Sequence, residues 1–365
     1  MTERPLRVLL IHPGASWSTA DVESGLRYGL KRLGVEVLSY RLDLRIPDAA
    51  KQLAIRWRRL RKSDPALPKP NTADVQYLSS VGAIETALRQ RVDVVLIVSG
   101  MFFHPDVVAM MKQAGLYVTA LLTESPYDHI GEKKFAALLD GCWTNERSSV
   151  ADLRSVCPRV GYLPHAWHPD VHGLTHDVEV DVPAHDVVFV GSGFPERVSF
   201  FNAINWDGID LGLYGHWHGF GLNKHLKKLV KNGPISNAQA SALYRRAKIG
   251  LSLYRNRDQH RRPVHGESLS PRAYELAACG AFHLSELRPE VTEVFGAAVP
   301  TFQTPAEAAA LIRLWLADPA GRARLAAQLP ACVAEATWAA RAKTVLGDLQ
   351  ALLNLPCRAL AARSA

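Results

Sequence analysis

The chain has 365 residues, 48% of them hydrophobic and 21% charged, enough apolar material for two ordinary cores at about 150 residues each, which excludes disorder as the main state. Lysine and arginine number 43 against 35 acidic residues, a net charge of +8. Up to Asp170 there are 22 basic and 18 acidic residues, and beyond it 21 and 17, so each half carries +4. That split excludes an appended basic tail and suits an acidic ligand such as a nucleotide diphosphate or a nucleic acid.

The first half alternates strand and helix signals. Arg7 to Ile11 is a β-rich run closed by His12-Pro13-Gly14. Ala20 to Leu33 has helical periodicity with Gly34 as its stop. A strand is predicted over Val35 to Tyr40, a helix over Asp48 to Lys62, a loop over Ser63 to Asn71 and a helix over Val75 to Arg89. Val92 to Val98 is a continuous apolar run, the mark of a strand buried on both faces. A helix follows over Pro105 to Gln113, strands over Leu116 to Leu122 and Gly141 to Thr144, a helix over Ser148 to Ser155, and a strand over Val160 to Leu163. The prolines and Gly173 of Pro164 to Ala184 mark an interdomain linker. A second series then gives strands at Asp186 to Val190, Leu211 to Tyr214, Ile249 to Tyr254 and Ala281 to Leu284. Its helices fall at Ala238 to Ala247, Pro271 to Cys279, Pro305 to Leu316 and in the alanine-rich tail beyond Gly321. Alternation of this kind predicts an α/β protein with two Rossmann-like parallel-sheet domains facing a central cleft, where ligands bind at the carboxyl ends of the strands. The expected boundaries are 1–170, 171–340 and a C-terminal helix in 341–365, whose return onto the first domain the sequence leaves open.

No apolar run approaches the ~18 residues of a membrane span. The N-terminal apolar run is too short for a signal-peptide core. The five cysteines, Cys142, Cys157, Cys279, Cys332 and Cys357, are odd in number and widely spaced, without a C-x-x-C pair. Reduced thiols in a cytoplasmic protein are therefore expected.

The most informative segment is Glu267 to Gly280, ESLSPRAYELAACG. Ser270 followed by Pro271 defines a helix start whose free N–H groups suit an anion. Arg272 in the first turn opposes the helix dipole, which favours an occupying phosphate. Glu275 lies one turn on, placed for ligand hydroxyls. Gly191-Ser192-Gly193 follows a strand, but Glu196 stands where a third glycine would complete G-x-G-x-x-G, against a dinucleotide oxidoreductase.

The stretch SPRAYELAACGAFHLSE resembles the nucleotide-sugar-binding segment of GT-B glycosyltransferases, above all the spore-maturation-type (glycosyl transferase group 1-like) branch. Glu267 and Glu275 stand at the E-x7-E spacing of many retaining members, with Ser268, Leu269 and Ser270 where glycines commonly follow the first glutamate. HDVVFVGSGFPERVSFF, with Arg197, the segment Asp210 to Trp217, Ile249 to Tyr254 and VGYLPHAWHPDVH are similar to further parts of that branch, and the first half matches loosely through TESPYD. The resemblance implies a donor site formed by Gly191, Ser192, Gly193, Arg197, Tyr254, Glu267, Ser270, Arg272 and Glu275. The glycine loop and Arg197 would approach the diphosphate and Glu275 the ribose. It implies a nucleotide-sugar co-substrate, a UDP-sugar foremost, with no tightly bound cofactor and no metal.

An inverting transferase needs a general base near the acceptor hydroxyl. His12, Asp21, Glu124, Asp128 and His129 stand at strand ends in the first half. The acceptor expected is a cell-surface or small glycan. The alternative is duplex DNA carrying a hydroxymethylated base, because Arg56, Arg58, Arg59, Arg61 and Lys62 surround Trp57, whose ring suits stacking; a second basic stretch holds Arg255, Arg257, Arg261 and Arg262. A non-catalytic nucleotide-sugar-binding or assembly protein is the rival from another class. His165, His168, His172 and His176 have a helical spacing that Pro169 and Gly173 interrupt, so a metal site there is disfavoured. Asp177, Glu179 and Asp181 resemble an acidic metal motif but lie in the linker, and His216 and His218 flank Trp217 beside the expected donor loop.

Overall fold

A computed structural model describes residues 4–14, 19–174, 180–217, 221–233, 235–258 and 260–354. The chain forms two compact units, residues 1–163 with 338–365, and residues 164–337. His176, Asp177, Glu179, His218 and the end of the expected 341–365 helix beyond Asn354 lie outside the described residues.

The first unit runs β1 (Arg7–His12), α1 (Ala20–Arg32), β2 (Glu36–Arg41), α2 (Leu42–Leu60), α3 (Thr72–Arg89), β3 (Val94–Val98), α4 (Pro105–Gln113), β4 (Tyr117–Leu122), α5 (His129–Ala136), β5 (Gly141–Thr144), α6 (Val150–Arg154) and β6 (Val160–Tyr162). Its parallel sheet has the order β2-β1-β3-β4-β5-β6. Every residue of β3 is buried, as its unbroken apolar run requires for a strand covered on both faces. Two helices start earlier than the periodicity suggests. The first, α2, begins at Leu42 because that side chain is fully buried and anchors the first turn, with Pro47 inside the helix. The second, α3, begins at Thr72 because Asn71 and Asp74 close a capping box.

The second unit runs α7 (Pro169–His172), β7 (Val187–Val190), α8 (Pro195–Asn202), β8 (Leu211–Gly215), α9 (Leu226–Leu229), β9 (Val230–Asn232), α10 (Asn237–Arg246), β10 (Ile249–Ser252), α11 (Pro271–Ala278), β11 (His283–Glu286), α12 (Pro289–Phe295), β12 (Thr301–Phe302), α13 (Pro305–Ala317), α14 (Pro319–Ala326) and α15 (Leu329–Cys332). Its sheet is also parallel, in the order β12-β11-β10-β7-β8-β9. The strand order reverses between β7 and β10, so the carboxyl ends of these two strands form the switch point at which such sheets open a crevice. The structure corrects β11, which lies two residues beyond the expected Ala281 to Leu284, pairing Gly250 with His283 and Ser252 with Ser285. That register moves Glu286 and Arg288 to the functional end of the sheet.

The last described helix, α16 (Trp338–Leu352), belongs to the first unit and packs along α1. A Cβ added at Gly25 would lie 2.2 Å from the Trp338 ring, and one at Gly29 2.5 Å from the Ala342 Cβ. The two glycines, one turn apart, therefore form the groove that receives α16. Among the described residues no helix is long and apolar enough to cross a membrane.

Candidate functional site

The switch point of the second unit gathers the glycine loop and the start of α11. A Cβ at Gly191 would stand 2.6 Å from Arg272 Nη2, and one at Gly193 2.4 Å from the Trp217 ring. A Cβ at Gly215 would meet the Gly191 carbonyl oxygen at 2.6 Å, and Gly215 itself has a φ of +117°. The loop is therefore pinned between Arg272, Trp217 and the end of β8. Its backbone is largely committed, since Gly191 N–H donates to Tyr214 and Gly193 N–H to His216. Arg197 is buried, and its two Nη atoms donate to the Ser192 and Leu253 carbonyls, both at 2.9 Å. It ties the glycine loop to the end of β10.

Arg272 lies with its guanidinium 4.8 Å from the Phe189 ring centroid, and its buried Nε has no hydrogen-bond partner. Ser270 is the N-cap residue of α11, yet its hydroxyl makes no cap bond and its buried oxygen has no partner. One turn along, Glu275 is buried. Desolvation lifts its carboxyl from 4.5 to about 7, against the opposing pull of Arg272 and the Tyr244 hydroxyl. A guanidinium, a glycine edge, an unspent hydroxyl and a carboxyl of intermediate affinity for protons thus share one helix start. This arrangement has donors for an anion and an acceptor for hydroxyls.

Tyr254 and Glu267 sit on a second, stiffer layer. The Arg288 guanidinium covers the Tyr254 ring at 3.9 Å and donates to the Ser268 carbonyl at 2.9 Å. Glu286 accepts from Tyr254 N–H, and burial holds its carboxyl above the ordinary range. Glu290 accepts from Leu269 N–H, and its own N–H donates to the Glu267 carbonyl at 3.2 Å. The Ser268-Leu269 pair is therefore held by Arg288 and Glu290, two residues absent from the sequence reading. The signal that finds them is the alternation of charge in Glu286, Arg288 and Glu290, legible once β11 is placed two residues later. A cavity of about 620 Å³ adjoins, lined by Phe194, Glu196, Arg255, Arg257, Asp258 and Arg261.

In the first unit His12 closes β1. Its Nε2 lies 2.7 Å from the Ser39 hydroxyl and 3.7 Å from Glu23, and burial lowers its pKa. Asp21 lies in the first turn of α1. Asp128 caps α5 by accepting from Gly131 N–H. Glu124 follows β4, with its N–H donating 2.7 Å to Glu132. His12 and Glu124 close strands separated in the sheet by β3.

Trp57, two of the spaced histidines and Trp217 have structural partners here. Trp57 donates its indole N–H to the Leu67 carbonyl at 3.1 Å, and Arg61 covers its ring at 4.7 Å. It braces the loop after α2 and is not open for base stacking, while Arg58 and Arg59 are exposed beside it. The duplex-DNA alternative loses its stacking platform. His168 and His172 accept backbone N–H bonds around the short helix α7. Trp217 packs against Phe189 and Phe201 in the core. Among the described residues no group of three or more His, Cys, Asp or Glu side chains is placed to hold a metal.

The two parallel sheets and the crevice of the second give the chain the α/β fold of GT-B glycosyltransferases. Residues 196–347 match the family described as glycosyl transferase-like. Sucrose-phosphate synthase from Thermosynechococcus elongatus superposes with a TM-score of 0.65 at 15% identity, over 96% of this chain and 99% of its own. The Anabaena protein Alr3699/HepE, in complex with UDP-glucose, gives 0.65 at 10% identity, over 95% and 100%. The α,α-trehalose 6-phosphate synthase of Burkholderia multivorans gives 0.61 at 10%, over 96% and 99%. No curated protein matches the sequence.

Proposed function

We propose that the protein is a glycosyltransferase that moves a sugar from a nucleotide diphosphate sugar, a UDP-sugar foremost, to an acceptor hydroxyl. The observation that carries this reading is the Arg272 guanidinium set against Gly191 at the switch point, one turn from the buried Glu275. Arg272 makes paired contacts to a phosphate, and the Ser270 hydroxyl adds a donor. Glu275 accepts the ribose hydroxyls. Ionised at the moment of binding, it gains charge-assisted bonds in a site of low dielectric. Arg197 acts as a positioning residue, because its Nη atoms hold the loop. The UDP-glucose bound by Alr3699/HepE supports uridine as the nucleotide. The first unit receives the acceptor, a cell-surface or small glycan, with Glu124 as the base that takes the hydroxyl proton.

Calorimetric titration with UDP and UDP-glucose tests the donor half. Removing a hydrogen bond to a charged partner costs about 1.5–3 kcal/mol, so Arg272→Ala weakens UDP binding by roughly 10- to 100-fold. Glu275→Ala acts in the same direction on UDP but leaves inorganic diphosphate binding unchanged. Equal UDP affinity in the native protein and both variants removes the proposed site.

A further inference from the structure

A chain of polar side chains runs from the interior of the first unit to its surface at the end of β4. Glu132 is buried and accepts from Glu124 N–H at 2.7 Å and from the Ser125 hydroxyl. That hydroxyl lies 3.1 Å from His129 Nδ1, and His129 Nε2 lies 2.7 Å from Asp152 Oδ2 on α6. Lys133 pairs with the other oxygen of Asp152. Glu132 and Ser125 are 6% and 4% exposed, whereas the side chains of His129 and Asp152 are 26% and 47% exposed.

We propose that Glu132, Ser125, His129 and Asp152 form a proton relay that joins the buried anchor of the Glu124 loop to solvent. Glu132 in its acid form donates to Ser125 Oγ as the Ser125 proton passes to His129 Nδ1. The imidazole, whose Nε2–H points at Asp152, becomes imidazolium, and Glu132 becomes the carboxylate that accepts from Ser125. One proton has moved, no atom is lost, and exchange with water occurs at the exposed His129–Asp152 end. Burial brings the Glu132 carboxyl up to about 7, against the bonds from Ser125 and Glu124 N–H and helped by the charge of Glu124. Both of its forms are therefore populated near neutrality. The titratable groups that act on Glu132 are Glu124 in the loop and Cys142 on β5, while His129 on the same helix reaches it through Ser125. Asp152 and Lys133 stand at the outer end, and the turn Gly100–Phe102 packed on α5 is apolar.

The relay's use in turnover rests on the reading of Glu124 as base; by setting the protonation of Glu132 it sets the charge beside the Glu124 carboxylate. Its existence does not rest on that reading. A merely structural loop anchor holds Glu124 without coupling Glu132 to His129. The test is carboxyl-carbon NMR of the full chain, with the Glu132 signal assigned by its loss in Glu132→Gln. His129→Gln raises the Glu132 midpoint by about one pH unit, and most of that shift disappears in a Ser125→Ala background. No shift, or the same shift in both backgrounds, overturns the relay. Should Ser125→Ala fail to fold, Asp152→Asn at the exposed end must also raise the Glu132 midpoint, and an unmoved midpoint overturns it equally. In turnover, His129→Gln shifts the pH limb of kcat and leaves the donor KM unchanged. Native kcat in Glu124→Gln removes the base reading and leaves the NMR result intact.

Discussion

Glu275 is costly to the fold that holds it. Its carboxyl rises from 4.5 to about 7 because burial disfavours the ion. A group raised in this way stabilises the fold fully below about 4.5, and that stability is lost as pH rises through about 7. The difference corresponds to about 3 kcal/mol at pH 8. Glu275→Gln is therefore expected to raise Tm at pH 8 by several degrees and to leave it nearly unchanged at pH 4, while UDP binding falls; thermal unfolding at the two pH values checks this. Stability traded for a binding carboxyl is common at functional sites. His283 has the opposite sign. It is wholly buried, and desolvation lowers its pKa from 6.5 to about 4. Its contribution is complete above about 6.5 and is lost as pH falls through about 4. His283→Leu should flatten the acid limb of stability in that window, which urea unfolding at pH 5 and pH 7 measures.

At the scale of elements, α11 and α4 were legible from explicit start signals, whereas α8 and α12, which also open on a proline, were not. Ser270-Pro271 and His104-Pro105 each place a proline at the first helical position, and α11 and α4 begin there. Helix α5 went unread because Gly131 and the polar run Glu132-Lys133-Lys134 hide its short apolar face, although Asp128 caps it. With it went Glu132, whose role is visible only when β4, α5 and α6 are in place. Gly191, Arg272 and Glu275 were legible from glycine, arginine and glutamate at a strand end and a helix start. The partners Tyr244, Arg288 and Glu290 were not, because tertiary register alone brings them in. Arg288 spans Tyr254, Ser268 and Arg255. Arg288→Ala is expected to loosen the Ser268-Leu269 segment and weaken UDP binding about tenfold with Tm falling as well, whereas Arg272→Ala lowers affinity with little change in Tm.

At the scale of the molecule, the parallel sheets follow from alternation of buried runs and amphipathic helices, a pattern the sequence carries openly. What it does not carry is which unit owns the final helix. Trp338 is 3% exposed against Gly25. Trp338→Ala should destabilise the first unit by about 3–5 kcal/mol, and Gly25→Val should do so by steric exclusion of the same ring. Calorimetry resolves the effect as a lowered transition for one unit while the other keeps its midpoint.

The return of α16 to α1 also sets an order of assembly. On the ribosome α1 emerges early, but the helix that fills the Gly25–Gly29 groove is translated more than 300 positions later, after the whole second unit. The groove on α1 stays unfilled until then, after every residue of the second unit has been made. Synthesis of this chain therefore reads as a parenthesis, opened at β1 and closed by Trp338, with an entire independent fold enclosed between its two marks.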